Sequence, residues 1–232
     1  MAEKFNPLGL ISATRTESSH LSGLLAEAGF KVKDLKAEAG LDWIAGEFFN
    51  RKTLLLRSGV GKTSAAMATQ FLIDRFQPKM IINLGVAGAL NREMKQGTVL
   101  VADSCQEWDV DLSAIYLQAL APIFPASAIE LSPILSVLAS SVSSGRIITG
   151  DAFVANQGQR ETLAKKFMAV AVDMESAAIA KVATANGIPF FVIKGISDHA
   201  NTQATVDLEK NLKSATAASF RILQAILENN LI

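Results

Sequence analysis

Acidic side chains recur directly after the apolar runs of this 232-residue chain. Glu17 follows the first run, Asp173 and Glu175 follow a run near residue 171, and Asp198 follows a run near residue 193. In open α/β sheets, ligands usually bind beyond the carboxyl ends of the strands. A buried carboxylic acid can protonate a leaving group, and an ionised carboxylate can activate water or stabilise positive charge. The acids at this predicted sheet edge are therefore candidate functional residues.

Each of these acids also has a purely structural interpretation. Thr14 and Glu17 have the T-x-x-E spacing of a helix capping box. Asp173 suits the N-cap of a helix, where Glu175 would favour the positive end of the helix dipole, and Asp198 suits a turn. For one isolated acid the structural interpretation is preferred. The recurrence of acids at one predicted sheet edge shifts the balance modestly towards chemistry.

A glycine-rich segment at residues 58–63 reads S-G-V-G-K-T and ends like a phosphate-binding P-loop. A P-loop has the pattern G-x-x-x-x-G-K-[ST], and Leu56 stands where its first glycine is required. We therefore interpret these glycines as a sharp turn through which the backbone approaches a ligand or a neighbouring element. Gly85 and Gly88 likewise lack the G-x-G-x-x-G spacing of a dinucleotide site.

Composition and charge exclude several classes of function. Lys plus Arg and Asp plus Glu each number 22, and no basic stretch stands out, so neither nucleic acid nor a membrane surface is an expected partner. Cys105 is the only cysteine, which excludes an intrachain disulfide, and we interpret it as a small core residue. His20 and His199 show no metal-ligand spacing. With neither a signal peptide nor a run of roughly 20 apolar residues, we expect a cytoplasmic protein.

The elements that must position the acids follow an α/β pattern. Half of the residues are hydrophobic, and short apolar runs alternate with amphipathic stretches, which is typical of helices packed on a buried sheet. We expect one domain, residues 1–232, with helices on both faces of a mostly parallel or mixed sheet. The predicted strands are 7–13, 30–35, 43–49, 53–57, 80–84, 98–102, 146–149, 169–172 and 189–196. The predicted helices are 17–28, 61–76, 131–142, 174–185 and 207–227.

Six segments, in order along almost the whole chain, resemble the nucleoside phosphorylase superfamily and its nucleosidase branch most closely. The segments are Gly9-Leu10-Ile11 with Glu17, Ser58-Gly59-Val60-Gly61-Lys62, Ile81-Ile82-Asn83-Leu84-Gly85-Val86-Ala87-Gly88, Thr149-Gly150-Asp151-Ala152-Phe153, Val172-Asp173-Met174-Glu175 and Ile196-Ser197-Asp198. The resemblance implies a single three-layer αβα domain with a twisted, mostly mixed central sheet. It also implies hydrolysis of the N-glycosidic bond of a 5′-substituted adenosine, such as methylthioadenosine or adenosylhomocysteine, without metal or organic cofactor, by a homodimer.

The resemblance implies a role for each matching side chain. Asp198, held by Ser197, would be the general acid at the purine N7, because neutral adenine leaves more readily than its anion. Glu17 would position and deprotonate the attacking water, and Glu175 would bind the ribose hydroxyls. The other implied contacts are Met174 against the sugar, Phe153 stacked on the purine, the Val154 backbone at the purine edge, Val60 near the 5′ substituent and Gly88 beside the base.

Four substrate-binding positions depart from the nucleosidase pattern. Val86 stands in place of a serine near the ligand, and Asp173 stands in place of a glutamate. Lys194 replaces an arginine near the water site and lacks the planar, bidentate donor group of arginine. Leu208 replaces an aromatic residue that often covers the 5′ group. Three alternatives therefore stay open: a phosphate-dependent purine nucleoside phosphorylase, a hydrolase of a modified nucleoside such as futalosine, and a non-catalytic nucleoside-binding protein.

Overall fold

The structure, a computed structural model, describes residues 6–38, 40–111, 121–127 and 142–232. These residues form an α/β fold, as predicted. The strands are β1 (Leu8–Ser12), β2 (Lys31–Glu38), β3 (Leu41–Phe48), β4 (Arg51–Arg57), β5 (Met80–Ala89), β6 (Val99–Glu107), β7 (Ile123–Pro125), β8 (Val142–Thr149), β9 (Ala171–Asp173) and β10 (Phe190–Asp198). The helices are α1 (Arg15–Glu27), α2 (Lys62–Phe76), α3 (Gln157–Phe167), α4 (Ser176–Ala185) and α5 (Ala204–Glu228).

The strands form one mixed sheet, part of which closes into a ring. The order runs β2–β3–β4–β1–β5, and from β5 the sheet continues through β9, β8, β6 and β10 back to β5. Strands β1, β4 and β10 run parallel to their neighbours in the β4–β1–β5–β10 part of the sheet. Strand β9 pairs antiparallel with the last two residues of β5, Gly88 and Ala89. The ends of β5, β9 and β10 therefore converge.

Helices cover both faces of the sheet and give the three layers that the sequence predicted. On one face, α2 and α4 pack small side chains, including Ala65, Ala68 and Ala183, into one buried apolar cluster. On the other face, α1 and α5 contribute larger side chains to a second cluster, including Leu25 and Leu223. Small residues let α2 and α4 lie close to the strands, and apolar burial of this kind is the main stabilising contribution to such layers.

Several strands are longer than the sequence predicted. β5 continues through the segment Gly85–Gly88, which we expected to follow the strand, and β10 continues through Ser197 and Asp198. Closure of the ring explains both extensions, because Lys194–Ile196 pair with Gly85–Ala87 and supply backbone partners. Helix α4 begins at Ser176, two residues later than predicted.

Three further differences concern a turn, two elements that were not predicted and one predicted helix. The β3–β4 turn lies at Phe49 and Asn50, one residue earlier than predicted, and both have positive φ (47° and 57°), as a tight hairpin turn requires. Strand β7 and helix α3 were not predicted. The helix predicted at 131–142 lies outside the described residues except for Val142, which begins β8.

Within the described ranges, every helix falls short of the length or apolarity that crossing a bilayer requires.

Candidate active site

A cavity of about 190 Å³ lies where β1, β5, β9 and β10 end. The three acids singled out from the sequence, Glu17, Glu175 and Asp198, all line this cavity. Most of the other predicted site residues line it as well: Val60, Val86, Gly88, Phe153, Val154, Asp173, Met174, Ser197 and Leu208. Lys194 does not line the cavity. The fold therefore brings together three acids that span 181 positions of the chain, from Glu17 to Asp198.

Asp198 ends β10 with its carboxyl group 2 % exposed. One carboxyl oxygen accepts a hydrogen bond from the backbone N–H of Ala200 at 2.8 Å, and the other lies 2.8 Å from the hydroxyl of Ser197. Burial raises the pKa of Asp198, and these two hydrogen bonds offset the effect only in part. A raised pKa favours the protonated acid, which is the form that can donate a proton.

Gly88 gives the carboxyl group of Asp198 the room it occupies. A Cβ atom at Gly88 would lie 2.9 Å from Asp198 Oδ1, which is closer than real Cβ contacts allow. A side chain at this position would therefore displace the acid or fill the cavity beside it.

Glu17 is 3 % exposed and accepts three hydrogen bonds. Its Oε2 accepts from the backbone N–H and the hydroxyl of Thr14 at 2.9 and 2.7 Å, and its Oε1 accepts from the N–H of Val86 at 3.2 Å. The Thr14 hydroxyl in turn accepts from the N–H of Glu17, which completes the capping box of α1. The structural interpretation of the T-x-x-E spacing is thus correct, and the same carboxylate also lines the cavity.

Glu175 precedes α4 and is 6 % exposed. Its Oε1 accepts a hydrogen bond from the backbone N–H of Gly61 at 2.9 Å. Burial, followed by the nearby charge of Asp173, raises the pKa of Glu175 to about 7, against the opposing effect of Lys194. Glu175 can therefore gain or lose a proton near neutral pH.

Lys194 lies behind the cavity wall and is 1 % exposed. Its Nζ donates to Asn83 Oδ1 at 3.1 Å and lies 3.2 Å from Asp173 Oδ2. Burial lowers the pKa of Lys194, but the charges of Asp173, Glu175 and Glu17 outweigh burial and raise it. Lys194 therefore stays cationic and supports the acids from behind, whereas the sequence placed it at the ligand.

Asp173 holds the segment between β9 and α4 in place. Its carboxylate accepts hydrogen bonds from the hydroxyl of Thr149 at 2.6 Å, the N–H of Ser176 at 3.2 Å and the hydroxyl of Ser176. We predicted Asp173 as the N-cap of the helix. Glu175 occupies that position instead, yet the Asp173 side chain still satisfies the first N–H of α4.

The remaining walls of the cavity are mostly apolar. Phe153 and Val60 are 45 % and 51 % exposed, so they form part of the rim, whereas Val154 is buried. Met174, Leu208 and Leu212 also line the cavity and are half-buried. This arrangement suits a ligand with a flat apolar part and a polar centre.

Four residues that matter here had no ligand or supporting role in the sequence-based prediction: Asn83, Thr149, Ser176 and Leu212. Asn83 and Ser176 are hydrogen-bonded at 2.8 Å across 93 residues of sequence. A pairing of this kind has no local signal. Leu212 could have been found, since it lies four residues after Leu208 and therefore on the same face of α5.

The P-loop-like turn binds carboxylates of the protein itself. Gly59 and Gly61 have φ values of 84° and 93°, which only glycine adopts without strain. The N–H of Gly61 donates to Glu175, and the N–H of Lys62 donates to Asp151 Oδ1 at 2.7 Å. Two of the N–H groups that a P-loop would offer to phosphate are therefore already in use.

Comparisons with known proteins agree with this architecture. A family model described as the phosphorylase superfamily matches residues 7–228. The 5′-methylthioadenosine/S-adenosylhomocysteine nucleosidase of Staphylococcus aureus is 31% identical over 229 residues, which cover 95% of this chain and 98% of the relative.

Two solved structures are similar over almost their whole length. The S-adenosylhomocysteine nucleosidase of Streptococcus pyogenes, in complex with 5-methylthiotubericidin, has a TM-score of 0.87 and 30% identity, with 99% of each chain covered. The futalosine hydrolase of Helicobacter pylori has a TM-score of 0.85 and 27% identity, with 96% of this chain and 97% of that chain covered. The sequence motifs, the fold and the family match lead to the same assignment: this chain belongs to the phosphorylase superfamily.

Proposed function

We propose that this protein is a purine nucleosidase that hydrolyses the N-glycosidic bond of 5′-substituted adenosines, methylthioadenosine and adenosylhomocysteine, and releases adenine. One observation carries the proposal: Asp198, Glu17 and Glu175 line a single cavity. The relatives in Staphylococcus aureus and Streptococcus pyogenes, which carry nucleosidase names, support the same chemistry.

In the proposed reaction Asp198 donates its proton to N7 of the purine while the C1′–N9 bond breaks. Adenine then leaves as a neutral molecule, and positive charge develops on the ribose. The carboxylates of Glu175 and Glu17 stabilise that charge. A water molecule adds its oxygen to C1′ and gives its proton to Glu17, so that adenine and the free sugar are the two products.

The hydrogen bonds of Glu17 favour water over phosphate as the nucleophile. A phosphate at this edge would need free N–H and hydroxyl donors. The N–H and hydroxyl of Thr14 and the N–H of Val86 already donate to Glu17, whose charge would repel a second anion. Lys194 is held by Asn83 and Asp173, and Lys62 by Asp109 and Glu107, so both lysines are engaged within the protein.

The apolar wall favours an apolar group directly at the 5′ carbon, such as the thioether sulfur that methylthioadenosine and adenosylhomocysteine share. Val60, Leu208 and Leu212 offer alkyl surface, which suits the methylthio group of methylthioadenosine. Hydrolysis of futalosine is a second candidate, because the Helicobacter pylori futalosine hydrolase is similar over almost the whole chain. Two further parts complete the proposal: a homodimer, which the family resemblance implies, and a cytoplasmic location, which the sequence predicts.

A substrate panel tests the proposal. Purified protein is incubated with methylthioadenosine, adenosylhomocysteine, adenosine, inosine and futalosine, with and without phosphate, and the free base is measured. We expect adenine release from methylthioadenosine and adenosylhomocysteine without phosphate. Strict phosphate dependence would identify a phosphorylase, selective cleavage of futalosine would identify the second candidate, and binding without turnover would identify a nucleoside-binding protein.

A further inference from the structure

A cluster of charged residues around Lys62 adjoins the Phe153 side of the cavity. Lys62 Nζ lies 2.5 Å from Asp109 Oδ1 and 3.2 Å from Glu107 Oε1. The second oxygen of Asp109 accepts a hydrogen bond from the N–H of Asp151 at 2.8 Å, and Asp151 Oδ1 accepts from the N–H of Lys62 at 2.7 Å. These contacts form a closed loop that joins the start of α2, the end of β6 and the segment after β8.

Residues 151–153, which follow β8, depend on these contacts because they have little packing of their own until the buried Val154. Residues 151–153 are all exposed, and Phe153, which lines the cavity, is 45 % exposed. The segment is anchored at Gly150, whose N–H donates to the carbonyl of Asp173 at 3.2 Å, and at both bonds of Asp151. The Phe153 ring therefore lies between two anchors, Asp151 on one side and the buried Val154 on the other, and Asp151 is the polar one.

The ion pairs of Lys62 with Asp109 and Glu107 are shielded from solvent enough to hold that segment. The side chains of Lys62 and Glu107 are only 17 % and 9 % exposed. Burial lowers the pKa of Lys62, but hydrogen bonds and charge from Asp109 and Glu107 outweigh burial and raise it. Burial raises the pKa of Asp109, and its bonds to Lys62 and to the Asp151 N–H more than reverse that effect. Both groups therefore stay charged at neutral pH.

We propose that Lys62 is a positioning residue for purine binding: through Asp109 and Asp151 it fixes the wall of the cavity that carries Phe153. The inference rests on the proposed function, in which Phe153 stacks on the base. It also gives a role to the lysine of the P-loop-like segment, which binds protein carboxylates on the base side while its neighbour Gly61 binds Glu175 on the ribose side.

Binding of adenine alone is the direct test. Adenine contacts the part of the cavity that carries Phe153, it has no 5′ group, and it is not turned over. Lys62→Met is expected to raise the dissociation constant of adenine, measured by calorimetry, about fivefold, since a partly exposed ion pair with geometric consequences is worth a modest change in affinity. KM should rise by the same factor for methylthioadenosine and adenosylhomocysteine, with kcat within about twofold. Lys62→Arg should restore most of the affinity.

Two further variants separate positioning from general stability. Lys181→Met is the matched control, because Lys181 also pairs with Glu107, at 3.3 Å, but lies on α4 with its side chain 59 % exposed; its adenine affinity should equal that of the unchanged chain. Asp109→Asn should raise the dissociation constant of adenine as much as Lys62→Met does. The double variant should bind adenine no more weakly than either single variant, because both changes break the same chain of contacts. Asp109→Asn also provides the test if Lys62→Met does not fold.

Unchanged adenine affinity in Lys62→Met and Asp109→Asn, or an equal loss in Lys181→Met, would overturn the inference. A fall in kcat with constant KM would show loss of folded enzyme and would overturn it as well. If the unchanged chain neither binds nor releases adenine, the proposed function itself is wrong, and that outcome is distinct from a failure of Lys62 alone.

Discussion

At Asp198, burial and hydrogen bonding act on one carboxyl group in opposite directions. Burial raises the pKa, and the N–H of Ala200 and the hydroxyl of Ser197 lower it without cancelling the rise. Asp207 adds a further, smaller rise through its charge. The carboxyl group is thereby held in one orientation at the cavity while its protonated form is favoured, and a general acid needs both properties.

Replacement of Asp198 separates its acid role from the fold. Asp198→Asn should lower kcat by about a hundredfold to ten-thousandfold, the usual contribution of a positioned general acid, while adenine binding and the thermal midpoint stay close to those of the unchanged chain. Asp207→Asn is the control, because it acts on Asp198 only through charge; its kcat should stay within about twofold. A normal rate in Asp198→Asn would refute the acid assignment.

Glu175 links the site to stability through its pKa. Its pKa rises from 4.5 to about 7 on folding, so the folded chain keeps a proton that the unfolded chain loses. Folding stability should therefore fall as pH rises from 4.5 through about 7. Glu175→Gln cannot ionise and can still accept from the N–H of Gly61. The variant should therefore have a larger free energy of unfolding than the unchanged chain. The difference between the two free energies should grow with pH, by on the order of 2 kcal/mol from about pH 5 to about pH 8.

Urea unfolding at both pH values measures that difference. The exposed Glu93→Gln serves as the control, and its difference from the unchanged chain should be the same at both pH values. A difference for Glu175→Gln that is constant or that narrows as the pH rises would contradict the assigned direction of the pKa shift.

The three acids could be singled out from the sequence because each follows an apolar run and lies in a segment that resembles the superfamily, whereas their hydrogen-bond partners could not be predicted. Gly61 lies 114 residues from Glu175, and Val86 lies 69 residues from Glu17. Contacts of this span depend on how the sheet closes, which no local pattern encodes. Lys194 illustrates the same point: the family resemblance implied a ligand contact for it, and only the sheet places it beside Asp173, behind the cavity wall.

Among the elements, the turn that begins α2 does the most to shape the site. Its backbone N–H groups at Gly61 and Lys62 point at the carboxylates of Glu175 and Asp151, as the positive end of a helix favours. The turn reaches these carboxylates because Gly61 has a φ of 93°. A Cβ atom at Gly61 would also lie 3.0 Å from Asp151 Oδ1.

Substitution of Gly61 tests the turn. Gly61→Ala should lower the free energy of unfolding by about 1–2 kcal/mol, the cost of a non-glycine residue at positive φ, and should raise KM as Glu175 loses its donor. Gly23→Ala is the matched control, because Gly23 lies in α1 with open space around it. That variant should be more stable than the unchanged chain by about 0.5–1 kcal/mol. Equal effects of the two substitutions on stability would contradict this account of the turn.

The order of elements was readable from the sequence, and their ends were not. Apolar runs located most strands, since buried strands need apolar side chains on both faces. Gly85 was expected to follow its strand, yet it lies inside β5, whereas Gly195 lies inside β10 as predicted. At Gly195 a Cβ atom would lie 2.0 Å from the carbonyl oxygen of Ala215 in α5, so this glycine reflects the close approach of a helix to the strand rather than the end of the strand.

At the scale of the whole molecule, the sheet connects the apolar clusters. The ring of β5, β9, β8, β6 and β10 shares β5 with the open part of the sheet, and the site lies at the end of β5, beside the ends of β1, β9 and β10. We propose that residues 1–232 form a single domain, as the sequence indicates. Loss of the packing on either face would then disturb the three acids together.

Unfolding followed at two tryptophans tests that proposal. Trp43 lies in the cluster beneath α2 and α4, whereas Trp108 packs against the third apolar cluster, which includes Leu163 and Phe167 of α3. In Trp108→Phe the remaining Trp43 reports on the cluster beneath α2 and α4, and in Trp43→Phe the remaining Trp108 reports on the third cluster. For each variant the urea midpoint from fluorescence should coincide with that from circular dichroism. Separate fluorescence and circular dichroism transitions within one variant would indicate two units.

The most direct measurement of the central claim follows the oxygen atom that replaces adenine. Methylthioadenosine is cleaved in phosphate-free water labelled with the heavy oxygen isotope, and the sugar product is analysed by mass spectrometry. Glu17, Glu175 and Asp198 acting together on a nucleoside predict free adenine and a sugar carrying one heavy oxygen at C1. A sugar product without the label, or no cleavage until phosphate is added, would contradict the account.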